Sequence, residues 1–271
     1  MKTLITKIIF RKSIILFVIG ITLSTTFHFK SESLYEDALF ESIVDKIKED
    51  AGPTQSIDSF FVAAMRMTHT LEFNRQKIFG GKKLAGLKAD FFRPATIDLM
   101  TGDGACGSNS TVLARILKAG GYQVRIAHMS VENLAAGHMV VEAKKRSNWI
   151  VLDPLLQQYF KKPDGGLASF KDVQTNWAYY QQQTSPSYVP AYKYESVRYT
   201  NWNKIPLLGN FIQSSLGIVI GKEQTNDIAI RSYILRKYHF LYLFSLTVFI
   251  FSCCWLLVAI QIKRKQKINA V

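Results

Sequence analysis

The feature that most constrains this chain of 271 residues is an uninterrupted apolar run near its C-terminus. Residues 240–262 contain no charged side chain. As a helix rising about 1.5 Å per residue, they would span roughly 35 Å, enough to cross a bilayer core of about 30 Å. We therefore predict a transmembrane helix at 238–262, because apolar runs of this length seldom form the buried helix of a soluble protein.

A second apolar run, at 13–29, contains no acid or base except His28, and four basic residues precede it. Its 17 residues fit either a transmembrane anchor or a cleaved signal peptide. No A-x-A-like cleavage site follows the run, which favours the anchor.

The net charge of +14 comes largely from the two ends of the chain. The tails at 1–12 and 263–271 each hold four basic residues and no acid. The positive-inside rule then places both termini in the cytoplasm and residues 30–237 on the outer side of the cytoplasmic membrane. Arg231, Arg236 and Lys237 oppose this orientation without reversing it. Because the excess charge flanks apolar runs, it predicts membrane lipid as a partner and not nucleic acid.

The segment between the apolar runs divides into three parts by pattern. Apolar residues recur at helical spacing in 30–99, and an aromatic-rich part occupies 161–237. Between them, 100–160 combines a helix with alternating apolar and polar residues that are typical of strands. The strands are predicted at 122–128, 137–144 and 148–153, the last two forming an antiparallel hairpin.

Cys106 is the only cysteine outside the apolar runs, and its neighbours suit a nucleophile. The Gly-rich stretch GDGACG leads it into the first turn of a helix, where unpaired N–H groups and the helix dipole lower a thiol pKa. The N–H of Cys106 would also donate to an oxyanion. The alternative is an inert buried thiol in a Gly-rich loop. Cys253 and Cys254 are adjacent in a predicted helix and point apart, so a disulfide between them is not expected.

His138 and Asp153 supply the other two groups of a thiol-based site. His138 opens one strand of the predicted hairpin and Asp153 closes the next, so both lie at the same edge. Asp153 would bond one ring nitrogen while the other faces the thiol. His128 is a rival base, disfavoured because no acid ends a strand paired with it. No pair of residues has metal-ligand spacing, and GDGACG lacks the lysine of a phosphate-binding loop, so no metal or cofactor is predicted.

Taken together, these residues resemble the core of the transglutaminase-like superfamily, which includes bacterial cysteine peptidases and peptide amidases. That family has a Gly-x-Cys turn on a helix, a Gly and an Arg further along, a His before a strand, and a Trp before Leu-Asp-Pro. In this sequence the pattern falls on Gly104, Cys106, Gly121, Arg125, His138, Trp149, Leu152, Asp153 and Pro154. The resemblance covers residues 100–156.

The resemblance implies an α+β fold in which the Cys106 helix packs on a small antiparallel sheet, as in papain-like enzymes. It implies a membrane-anchored bacterial acyltransferase or hydrolase, acting as a peptidase or amidase on envelope proteins or peptides. Cys106 would attack an amide carbonyl, His138 would carry the proton and Asp153 would orient His138. Trp149, Trp177, Tyr179 and Tyr180 would either line a substrate cleft or pack internally.

Two non-enzymatic alternatives remain at this point. One is a catalytically weak or inactive module for protein binding or envelope assembly. It is favoured because Val140 replaces the family's aromatic two residues after the histidine, and because no upstream Gln or aromatic residue stands out as a second oxyanion donor. The other is a channel or transporter component, which the absence of intramembrane charge disfavours. The sequence predicts no oligomeric state.

Overall fold

A computed structural model describes residues 12–52, 56–80, 86, 92–131, 134–186, 188–202 and 208–268 of the chain. The protein is α+β, with a small antiparallel sheet and a long apolar helix near each terminus, as the sequence predicts. The helices are α1 (Lys12–Ala51), α2 (Ile57–Phe79), α3 (Ala95–Thr101), α4 (Ala105–Ala119), α5 (Phe170–Thr175), α6 (Trp177–Tyr180), α7 (Gly209–Val219), α8 (Lys222–Asn226), α9 (Ile230–Tyr233) and α10 (Lys237–Ile268). The strands are β1 (Val124–Val131), β2 (Leu134–Lys145), β3 (Asn148–Asp153), β4 (Gln158–Tyr159) and β5 (Val197–Arg198).

The chain forms two compact units, one made of Met1–Glu36 with Arg236–Val271 and the other of Asp37–Leu235. The two candidate membrane spans are Lys12–Ala51, which is α1, and Lys237–Lys265 within α10. Nearly all of the predicted basic tail at 1–12, and the last three residues of the tail at 263–271, lie outside the described residues.

The sheet of the second unit has the strand order β4-β3-β2-β1-β5, with every neighbouring pair antiparallel. The predicted hairpin at 137–144 and 148–153 is confirmed as β2 and β3, which pair from Lys145–Asn148 to Val141–Leu152. Both β1 and β2 extend further than their alternating patterns predict, because pairing between them continues to Val131–Leu134 beyond a register shift after Met129.

The two faces of the sheet carry two different cores, because successive side chains along a strand point to opposite sides. On one face, α4 packs its apolar stripe, including Leu113 and Leu117, against strand residues such as Val141. Burying each such side chain stabilises the fold by roughly 1.5–3 kcal/mol. On the other face, Val140 and its neighbours pack against an aromatic cluster from the C-terminal part of the unit, which comprises Phe160, Phe170, Tyr180, Tyr188 and Tyr194. The helix that carries Cys106 is therefore held rigidly against the strand that carries His138.

Candidate active site

A sharp backbone turn delivers Cys106 to the first turn of α4, as the Gly-rich stretch predicts. Gly104 has φ 147° and Ala105 has φ 45°, so two consecutive residues adopt positive φ immediately before the cysteine. A Cβ at residue 104 would lie 2.9 Å from Nη2 of Arg93, so only glycine fits there without a shift. The N–H groups of Gly107 and Ser108 donate to the Gly104 carbonyl at 3.0 and 3.3 Å. The N–H of Cys106 has no such backbone acceptor among the described residues and remains a candidate oxyanion donor.

The start of α4 is attached to a stretch of β2 that has no partner on its β3 side. Pairing between β2 and β3 ends at Val141–Leu152, so Met139 lies beyond it. The Ser110 hydroxyl donates to the Met139 carbonyl at 3.0 Å. The Met139 N–H also lowers the pKa of the Cys106 thiol, as a donor to sulfur does. The backbone of one strand residue therefore fixes the first turn of the helix beside His138.

His138 and Asp153 form a buried hydrogen-bonded pair. Both side chains have no exposed surface, and Nε2 of His138 lies 2.6 Å from Oδ2 of Asp153. The other carboxylate oxygen accepts hydrogen bonds from the N–H groups of Leu155 and Leu156 at 3.1 and 3.2 Å. The turn after β3 therefore fixes the carboxylate, and the carboxylate fixes the imidazole ring. Because Nε2 is bonded to Asp153, Nδ1 is the nitrogen left to exchange a proton with the thiol.

The electrostatics of the site favour a charged pair of thiolate and imidazolium. Burial raises the pKa of the Cys106 thiol, but the hydrogen bonds from His138 and from the Met139 N–H outweigh it, and the pKa lies below its usual range. Burial lowers the pKa of His138, but the bonds to Asp153 and Cys106 again outweigh it and raise that pKa to about 9. The two shifts act in the same sense, and both favour the form of the pair in which the proton rests on the ring.

Tyr192 covers one face of the His138 ring, and sequence analysis did not identify it. The two rings stack at 11°, with their centroids 4.1 Å apart. An aromatic face attracts a cationic ring, so Tyr192 favours the protonated form of His138 and shields it from water. The only signal in the sequence is that Tyr192 belongs to the aromatic-rich part at 161–237.

Of the aromatic residues that the sequence singled out, Trp149, Trp177 and Tyr180 pack against other residues of the unit, whereas Tyr179 is exposed. Trp177 contacts Phe160 at 6.2 Å between ring centroids, within the aromatic cluster. Trp149 stacks on the guanidinium of Arg125, whose carbon lies 4.3 Å from the ring centroid. Arg125 is held on its other side by Tyr199 and donates to Glu142 at 2.7 Å. Arg125 and Trp149, both part of the family pattern, therefore stabilise the sheet through contacts with each other.

His128, the rival base, lies on the opposite face of the sheet from His138. In the β1–β2 register, His128 is paired with Met139, whereas His138 is paired with Met129. Neighbouring strand residues point to opposite faces, so His128 and Met139 share the face away from Asp153. The structure therefore brings Asp153 to His138 and not to His128.

In the described part of the chain, no group of three or more His, Cys, Asp or Glu side chains could hold a metal ion. Comparison of the chain with protein-family models, with curated proteins and with solved structures finds no match.

Proposed function

We propose that this protein is a membrane-anchored, transglutaminase-like thiol enzyme that transfers or hydrolyses acyl groups of amides in envelope proteins or peptides. The observation that carries the proposal is the buried 2.6 Å hydrogen bond between His138 and Asp153, beside a cysteine whose thiol pKa is lowered at a helix N-terminus. A structural cysteine needs neither a buried acid–imidazole pair nor a lowered pKa.

The proposed reaction begins with attack of the Cys106 thiolate on the substrate's amide carbonyl. A sulfur–carbon bond forms, and the carbonyl oxygen becomes an oxyanion that the Cys106 N–H can stabilise. The imidazolium of His138 then donates its Nδ1 proton to the nitrogen of the leaving amine, and the carbon–nitrogen bond breaks to leave a thioester.

In the second half of the reaction, His138 takes a proton from an incoming nucleophile as it attacks the thioester. Water gives hydrolysis, and an amine gives transfer or cross-linking. Departure of the Cys106 thiolate restores the starting pair. Throughout, Asp153 holds the ring in place and stabilises its positive charge.

The two apolar helices support a membrane location for this chemistry. With both basic tails in the cytoplasm, the unit Asp37–Leu235 would face the outer side of the cytoplasmic membrane. Proteins and peptides of the cell envelope are the amide substrates within reach of such an enzyme.

The direct test is to trap the acyl-enzyme. Full-length protein in detergent is incubated with a set of fluorogenic peptidyl amides, quenched in acid and digested, and the Cys106 peptide is weighed by mass spectrometry. We expect an acyl adduct on Cys106, release of the amine, and transfer when a primary amine such as dansylcadaverine is added.

The controls separate Cys106 from the other thiols. Cys106→Ala should abolish turnover, whereas the double variant Cys253→Ala/Cys254→Ala should retain it. Turnover that persists in Cys106→Ala would overturn the proposal. A complete absence of both adduct and turnover would favour the non-catalytic binding module instead.

A further inference from the structure

A pocket with two arginines opens on the sheet face opposite His138. It has a volume of about 310 Å³ and is enclosed by β1, β2, the chain from Arg198 to Asn201, and α9. We call it the arginine pocket and define it by His128, Met139, Arg198 and Arg231. Its volume is at the lower end of the range for ligand sites, which suits one side chain or one chain end.

Two residues that line the arginine pocket lie near glycines next to the proposed catalytic groups. The thioether sulfur of Met139 lies 3.8 Å from where a Cβ of Gly107 would be, and Gly107 follows Cys106. The ring of His128 would lie 2.7 Å from a Cβ on Gly137, which precedes His138. No side chain on either glycine stands between these lining residues and the proposed site. The arginine pocket therefore adjoins the proposed site through Met139 and His128.

The arginine pocket is positively charged. No Asp or Glu of the described part of the chain lines it. Arg198 and Arg231 are both exposed, and neither pairs with a carboxylate in the described part of the chain. Nη1 of Arg231 instead contacts the sulfur of Met139 at 3.2 Å, which turns its guanidinium toward the site. Arg231 is also one of the three basic residues that oppose the predicted membrane orientation. The positive-inside rule therefore does not account for its position.

Guanidinium groups bind carboxylates through paired, charge-assisted hydrogen bonds, and a positive pocket also concentrates anionic ligands. We propose that Arg198 and Arg231 bind a carboxylate of the acyl substrate and select peptides that carry an acidic side chain or a free chain end near the reacting amide. This inference rests on the proposed function, since it assigns a substrate class to the same site. The position of the pocket beside Gly107 and Gly137 favours a substrate group over an anionic lipid headgroup.

The test compares two alkylating reagents that differ only in charge, N-iodoacetyl-β-alanine and its carboxamide. Both form a sulfur–carbon bond with Cys106 and release iodide, and mass spectrometry of the Cys106 peptide gives each rate in the full-length protein in detergent. We expect the anionic reagent to react faster and to saturate. Arg198→Gln/Arg231→Gln should lower the anionic-to-neutral rate ratio by about tenfold, which corresponds to about 1.4 kcal/mol. The matched control is Arg66→Gln, an exposed arginine on α2 outside the pocket, which should keep the wild-type ratio.

A second measurement keeps this inference separate from the proposed function. Calorimetry of N-acetyl-β-alanine with Cys106→Ser protein reports carboxylate binding without any reaction, and adding Arg198→Gln/Arg231→Gln should abolish it. Slow alkylation of Cys106 by both reagents would count against the proposed enzymatic function. The calorimetric result would still show whether the arginine pocket binds a carboxylate. An unchanged rate ratio in the arginine variant, or calorimetric binding of a short-chain anionic phospholipid but not of the acyl-β-alanine, would overturn the substrate assignment.

Discussion

Glu72 of α2 is a buried acid that contacts the first turn of the Cys106 helix. Its Oε2 accepts a hydrogen bond from Ser108 at 2.5 Å, and only 2 % of the residue is exposed. Burial raises the pKa of Glu72 to about 7, although the bond from Ser108 opposes the shift. An acid whose pKa is raised by folding binds more protons in the folded state than in the unfolded one, so its contribution to stability falls as pH rises from 4.5 to about 7.

Replacing Glu72→Gln should remove this penalty while keeping an acceptor for Ser108. We expect the variant to gain up to about 3 kcal/mol in unfolding free energy at pH 8 and little at pH 4.5, since each pKa unit corresponds to about 1.4 kcal/mol. Urea denaturation of the detergent-solubilised protein at both pH values measures the gain. Glu41→Gln, at an exposed position of α1, should change stability little at either pH. Equal effects of Glu72→Gln at pH 4.5 and pH 8 would show that the carboxyl titrates normally.

At the level of elements, the contact between α4 and β2 positions the thiol. The Ser110 hydroxyl on the helix donates to the Met139 carbonyl, and the Met139 N–H lowers the pKa of the Cys106 thiol. Thr111, the next residue, makes a hydroxyl bond of the same kind, but to Gly107 within its own helix at 2.8 Å. The Ser110 hydroxyl therefore joins the helix to the strand, whereas the Thr111 hydroxyl stabilises the helix alone. Substituting each one in turn distinguishes the two effects.

We expect Ser110→Ala to destabilise the fold by about 1–3 kcal/mol, because it leaves the Met139 carbonyl without its partner. It should also slow alkylation of Cys106 by iodoacetamide, since the helix start is no longer fixed beside His138. Thr111→Val removes a hydroxyl without releasing the strand, so the alkylation rate should stay near that of the wild type. Equal rates in the two variants would mean that the strand contact does not position the thiol.

The elements that local pattern could predict are those whose signals lie close together in the chain. The start of α4 follows from the glycines around Cys106, and the β2–β3 hairpin follows from alternation and a short turn, which together place Asp153 near His138. Tyr192 could not be predicted to stack on His138, because that contact joins segments far apart in the chain and any of several tyrosines fits the pattern. The extra length of β1 and β2 was missed because pairing between strands, and not alternation alone, decides where they end.

At the scale of the whole molecule, the apolar runs and the basic tails together predict one membrane orientation. The unit Asp37–Leu235 would lie on the outer side of the cytoplasmic membrane, and both termini would lie in the cytoplasm. The test uses a background in which all three cysteines are replaced by alanine, with Gln182→Cys at an exposed position of the unit Asp37–Leu235 or Gln266→Cys in the C-terminal tail. A membrane-impermeant maleimide should label the first variant in intact cells and the second only after permeabilisation. The reverse pattern would place the site in the cytoplasm.

The pH dependence of Cys106 alkylation tests the central claim most directly, because the claim requires the thiol and imidazole to share a proton. In the wild type, the pH midpoint of the iodoacetamide rate should lie below the usual range for a thiol, since His138 and the Met139 N–H lower the pKa of Cys106. In His138→Gln the midpoint should rise to or above the ordinary value, because burial then acts with less opposition. A wild-type midpoint in the ordinary range, unmoved by His138→Gln, would contradict the proposed site.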